Sequence, residues 1–216
     1  MRDSSHGMKF QSRARKAAAS RGFSLMELMI AATVMMIVGG ISFMALIPAW
    51  KQSRITNSYN TTLMILRRAH DEAVAERRVY VVSVNNGAIP NTISVNQNTT
   101  AGPLLVSAQL PPDVSFTTVS GIPTSNTAPP TTPDSFGTGG AAIDLDVNVN
   151  PGVTTIYFNP DGTAQDNLGN LANGVIYVAR PNDLYSSRAV TIWGATGRVR
   201  GWRLFLTGTQ NYWRQL

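Results

Sequence analysis

From Leu28 to Ile47 the chain carries 20 consecutive uncharged positions, most of them apolar. At about 1.5 Å per helical residue such a run covers roughly the 30 Å of a bilayer core, which predicts a membrane-spanning helix. Beyond it the pattern turns amphipathic. Trp50, Ile55, Tyr59, Leu63, Leu66, His70, Ala73 and Arg77 recur at helical spacing with polar residues between them, so the helix is expected to continue. Asp71, Glu72, Glu76, Arg77 and Arg78 fall where charges can pair along its exposed faces. A helix from Phe23 to Arg78 would extend on the order of 80 Å. Pro48 removes one of its hydrogen bonds and predicts a kink, and Gly39-Gly40 is a second soft point.

From Val79 the pattern changes to short β-branched and aromatic runs with partial alternation. Strands are predicted at Val79–Val84, Thr92–Val95, Val114–Val119, Ile143–Val149, Thr154–Phe158, Val175–Ala179, Ala189–Trp193 and Arg198–Leu206. Turn signals separate them at Asn85-Asn86-Gly87, Asn159-Pro160-Asp161-Gly162, Asn173-Gly174 and Gly194-Ala195-Thr196-Gly197. The stretch Gly121–Gly140, rich in Pro, Thr, Ser and Gly, reads as a long mobile surface loop. The expected fold class is α+β: a long N-terminal helix whose outer half packs on an antiparallel β-sheet domain. The membrane half should protrude, covered only by lipid or by other chains.

Ahead of the apolar run stands Arg21-Gly22-Phe23-Ser24-Leu25-Met26-Glu27. A carboxylate at the start of a membrane helix costs at least a few kcal/mol and marks a functional site. The preceding leader holds Arg2, Lys9, Arg13, Arg15, Lys16 and Arg21 against Asp3 alone, a bias that keeps the N-terminus cytoplasmic and sends the rest outward. Gly22 lacks a Cβ, which suits a position where a protease grips the backbone closely.

This segment resembles the leader and first helix of type IV pilins and pseudopilins. The resemblance implies cleavage between Gly22 and Phe23 by a membrane prepilin peptidase and N-methylation of Phe23. It also implies that Glu27 meets the N-terminal amine of a neighbouring subunit during assembly, a pairing that offsets the desolvation of both charges. The alternative is a Glu27 at the membrane interface without a partner. Further along, Ile156-Tyr157-Phe158-Asn159-Pro160-Asp161-Gly162, Ala189-Val190-Thr191-Ile192-Trp193 and Gly197-Arg198-Val199-Arg200 resemble the GspH/FimT family. That family comprises the minor pseudopilin H of type II secretion and FimT-like minor pilins. The centre of the chain carries no such likeness. The domains expected on this basis are a cleaved leader over 1–22, a transmembrane helix over 23–48, its amphipathic continuation over 49–78 and a periplasmic β-rich domain over 79–216. The implied partners are the prepilin peptidase, other pilins or pseudopilins, the inner-membrane assembly platform and lipid.

Charge sharpens this picture. The formal net charge of +6 sits mostly in the leader, and the remainder is nearly balanced but segregated. No Lys or Arg lies between Arg78 and Arg180, while Asp113, Asp134, Asp144, Asp146, Asp161 and Asp166 all do. From Arg180 onward arginine dominates, and such asymmetry often marks an interaction surface. Some FimT-like pilins are linked to DNA uptake through a Gly-Arg-x-Arg segment. Here Arg198 and Arg200 would share one strand face, with Arg203, Arg188 and Arg214 adding phosphate contacts and Trp202, Tyr212 and Trp213 a stacking surface. The competing reading is a solvated edge hairpin whose arginines meet acidic neighbours. A third is a membrane-anchored adhesin that presents the Gly121–Gly140 loop.

Other chemistry lacks its parts. With no cysteine there is neither a disulfide nor a thiolate metal site, and no cofactor is expected. Asp144-Leu145-Asp146-Val147-Asn148-Val149-Asn150 resembles half a calcium loop, without its glycine or its terminal glutamate, and reads better as a strand with polar side chains facing water. His70 is the single histidine after the leader and is expected to pack on the helix face. No catalytic triad or P-loop can be assembled, so no enzyme is predicted.

Overall fold

The computed structural model describes residues 23–147 and 149–216, and Ala45 without its side chain. Gly22 and the leader therefore lie outside the described residues. Helix α1 spans Leu25–Glu76 and is assigned without interruption through Gly39-Gly40 and Pro48. Arg77, with φ of 54°, takes the left-handed conformation that ends it, and Arg78 N–H returns to the Ala73 carbonyl at 3.2 Å. The helix thus stops just short of the expected Arg78.

The chain divides into two compact units between Leu46 and Ile47. In the first, the apolar side chains of α1 are exposed: Met35, Met36 and Met44 are each 74% accessible. The helix is long and apolar enough to cross a membrane by length and composition.

In the second unit α1 packs against antiparallel sheets. The strands are β1 (Tyr80–Asn85), β2 (Thr92–Gln97), β3 (Leu104–Gln109), β4 (Ile143–Asp144), β5 (Thr155–Phe158), β6 (Ala164–Gln165), β7 (Gly174–Arg180), β8 (Asp183–Trp193), β9 (Arg198–Thr207) and β10 (Gln210–Gln215). They form two five-stranded sheets rather than one, ordered β3-β2-β1-β5-β6 and β10-β9-β8-β7-β4. The buried stripe of the helix, Ile55, Tyr59, Ile65, Leu66, Ala69 and Ala73, shares one core with Val82, Ile93, Ile156 and Phe158 of the first sheet. Ile176, Val178, Val190 and Ile192 of the second complete it. Two hydroxyls also sit in that stripe. Ser58 donates to the Arg54 carbonyl and Thr62 to the Ser58 carbonyl, each at 2.9 Å, so neither is buried unsatisfied.

A second core covers the other face of the second sheet, and here the structure corrects the sequence. The Gly121–Gly140 stretch does not lie wholly on the surface. Ile122 and Phe136 are buried against Val175, Tyr177, Ala189, Leu204 and Trp213. A single 3₁₀ turn at Pro133–Ser135 sits within it. Two predicted strands are also corrected. Val114–Val119 forms only a bridge at Ser115, because the Asn91 side chain takes the Phe116 N–H at 2.7 Å and closes off a ladder. The Ile143–Val149 strand ends at Asp144, where the Asp146 carbonyl turns the chain by accepting from Val149 and Asn150 N–H. Asp144 and Asp146 are buried rather than facing water.

Candidate functional site

The arginines of the last hairpin are sorted by strand alternation. On β9, Arg198 and Arg200 lie on one face, while Arg203 lies on the other with Val199 and Gly201. Arg188 and Arg214 pair in register with Arg203 across β8 and β10 and share its face. The five arginines grouped as a nucleic-acid surface are thus divided between the two faces of the sheet. Three also make side-chain hydrogen bonds within the chain, among them Arg214, whose Nη2 donates to Thr207 Oγ1 at 3.2 Å. Arg200 Nη1 donates to Asp134 Oδ1 at 2.7 Å, and its guanidinium lies 5.3 Å from the Trp193 ring centroid. Arg188 is 2% exposed, and burial, with Arg203 beside it, pushes its pKa down to about 10.

Asp134, which sequence reading placed in a loop among the acidic residues, is tied to the second sheet. Its side chain is 5% exposed and accepts from Thr191 Oγ1 at 2.5 Å, Trp193 Nε1 at 3.0 Å and Arg200. The acidic middle and basic end therefore meet within the fold, as they do again where Arg180 lies 4.0 Å from Asp113. The charge segregation along the sequence is partly internal pairing and not wholly an interaction surface.

At the other end of the chain, Phe23 and Ser24 precede α1, and the Ser24 carbonyl accepts from Glu27 N–H at 3.0 Å and Leu28 N–H at 3.1 Å. These bonds start the helix and place Glu27 in its first turn, exposed, with Phe23 also exposed. Glu27 is the one acidic residue in the apolar half of α1. Residues 18–43 match the prokaryotic N-terminal methylation motif. The match is confined to the N-terminal segment and the first part of α1. A structural comparison pairs the chain with the crystal structure of the type IV minor pilin FimU of Pseudomonas aeruginosa strain PAO1. It covers 69% of this chain and 88% of that one, at 14% identity and a TM-score of 0.41. At that distance no residue role passes from one to the other. No curated protein sequence matches the chain.

Glycines let side chains of α1 approach the sheet hairpin. Gly201 leaves room for the Tyr59 hydroxyl, which a Cβ there would overlap. Gly197, with φ of 58°, lies against His70, whose Nε2 would be 2.9 Å from an added Cβ. His70 stands edge-on to Phe158 with ring centroids 5.9 Å apart, a packing role. The Gly-Arg pair of the last hairpin therefore serves helix docking through its glycine.

The half calcium loop is used internally. Asp144 Oδ1 accepts from Asp146 N–H at 3.4 Å, and Asn150 Nδ2 donates to Asp146 Oδ2 at 2.8 Å. Burial raises the Asp144 pKa. Among the described residues no group of three or more His, Cys, Asp or Glu could hold a metal ion. Asn159-Pro160-Asp161-Gly162 folds as a turn, with Asp161 Oδ1 accepting from Thr163 N–H at 2.9 Å and its hydroxyl at 2.7 Å.

Proposed function

We propose that the chain is a minor pilin or pseudopilin, made as a precursor and cut between Gly22 and Phe23. On this reading residues 1–22 stay in the cytoplasm, the apolar half of α1 anchors the subunit in the inner membrane and the sheet unit faces the periplasm. Phe23 becomes the methylated N-terminus, and the subunit joins other pilins or pseudopilins through the assembly platform. The function is structural, serving a type IV pilus or a type II secretion pseudopilus. The observation that carries this is the methylation motif over residues 18–43 together with Glu27 in an otherwise uncharged membrane-length segment.

Glu27 is the residue to test. In assembled filaments its carboxylate pairs with the Phe23 amine of a neighbour. Glu27→Ala is expected to be processed normally and to fail to enter filaments, read by immunoblots of whole-cell and sheared-filament fractions. Normal incorporation of Glu27→Ala would count against the pairing.

A DNA-uptake role through Arg198, Arg200, Arg203, Arg188 and Arg214 has less support. The division of these arginines between two sheet faces, and the engagement of Arg200 by Asp134, favour contacts with protein. An adhesin presenting residues 121–140 likewise loses support, since Ile122 and Phe136 of that stretch are committed to the second core.

A further inference from the structure

The pairing of the second sheet lines up three arginines in one row. Arg188 of β8 stands opposite Arg203 of β9, and Arg203 stands opposite Arg214 of β10. Like charges directly opposite each other destabilise a sheet unless something answers them. Among the described residues none of the three forms an ion pair. Asp183, which exerts some pull on Arg188, is bonded to Arg180.

The row is built and not merely a run of solvated charges. Arg188 Nη1 donates to the carbonyls of Tyr185, Ser186 and Ser187 at 3.2, 3.1 and 3.1 Å, which fixes the guanidinium in the interior. Arg203 Nε is buried with no hydrogen-bond partner. The Arg203 and Arg214 guanidinium carbons lie 5.0 and 5.4 Å from the centroid of the Phe205 ring, a cation–π arrangement that holds both flat ions. Accessibility rises along the row, from buried Arg188 through half-buried Arg203 to exposed Arg214. Arg214 lies on β10, an edge strand with a partner on one side only.

We propose that this row receives a carboxylate carried by an extended segment of a partner protein, which adds a strand to the β10 edge. A residue placed opposite Arg214 in such a strand has its Cβ about 5 Å away, so a Glu or Asp there completes the row with its missing negative charge. The flat guanidinium fork of Arg214 matches a carboxylate in geometry. Duplex DNA is the poorer occupant. Phosphate contacts along a backbone call for exposed cations, whereas one arginine here is buried, a second is half-buried and Arg198 and Arg200 face the other way. The inference rests on the assembly reading only for the source of the segment.

The test uses the full chain in detergent micelles and a short fluorescent peptide of alternating valine and threonine with one central glutamate. The same peptide with glutamine is the control. The glutamate peptide is expected to bind at least about fivefold more tightly, by fluorescence anisotropy. Arg214→Gln should erase that difference, and Arg214→Glu should reverse it toward a peptide with central lysine. Circular dichroism of each variant checks that the sheet is retained. Equal affinity for the glutamate and glutamine peptides, or no binding of either, overturns the proposal. So does a short DNA duplex that binds more tightly than the glutamate peptide and depends on Arg214. No peptidase enters the assay, so its failure is distinct from a failure of processing at Gly22.

Discussion

Single residues carry unusual weight where the long loop meets the second sheet. Asp134, at φ of 52°, occupies a backbone region that aspartate tolerates better than most side chains, and its carboxylate serves Thr191, Trp193 and Arg200 together. Asp134→Ala leaves the partly buried Arg200 unpaired and two donors without an acceptor. We expect a loss of about 2–3 kcal/mol, seen as a melting temperature lower by roughly 5–10 °C in tryptophan fluorescence. An unchanged melt would show that the loop is held by its apolar contacts alone. Gly201 tests the helix contact in the same way. Gly201→Ala should destabilise the domain through overlap with Tyr59, and Tyr59→Ala should cost less in that background than in the parent. Additive losses in the double variant would contradict that contact.

At the scale of elements, the buried turn after β4 gives a pH signature. Burial raises the Asp144 pKa above its unfolded value, so the folded state holds its proton to higher pH than the unfolded state does. The unfolded chain ionises first, and the contribution of this group to stability falls as pH rises from the unfolded carboxyl value of about 3.9 through the raised native one. Asp144→Asn keeps an acceptor oxygen and removes the charge. Its gain in urea midpoint over the parent should be larger at neutral pH than near pH 3, and a gain independent of pH would contradict the assignment. The same region shows what the sequence could reveal. The helix, six of the paired strands and the turn at Asn159-Pro160-Asp161-Gly162 follow from periodicity and turn chemistry. Edge strands β3 and β10 do not: Leu104–Gln109 and Gln210–Gln215 alternate weakly, and their neighbours impose the pairing. Val114 and Phe116 alternate like a strand and are buried like one, yet a side-chain amide from Asn91 takes the place of a ladder. The Pro/Thr stretch hid a core because its anchors, Ile122 and Phe136, are two residues in a polar context.

At the scale of the whole molecule, the chain joins an N-terminal methylation motif to a packed sheet unit. The first was legible from residues 21–27, because a glycine, a phenylalanine and a lone carboxylate before an uncharged run form a local pattern. The division of the C-terminal arginines was not, because strand register and a loop closing from more than sixty residues away decide which of them face a partner. The proposed function depends on whether the leader is removed between Gly22 and Phe23. The most direct measurement is intact-mass and N-terminal peptide spectrometry of the chain co-expressed with a prepilin peptidase, beside a Gly22→Leu variant. The account predicts a product that begins at Phe23, carries one added methyl group and is absent from the variant. A chain that keeps its leader in the presence of active peptidase, or is cut at another bond, would contradict it.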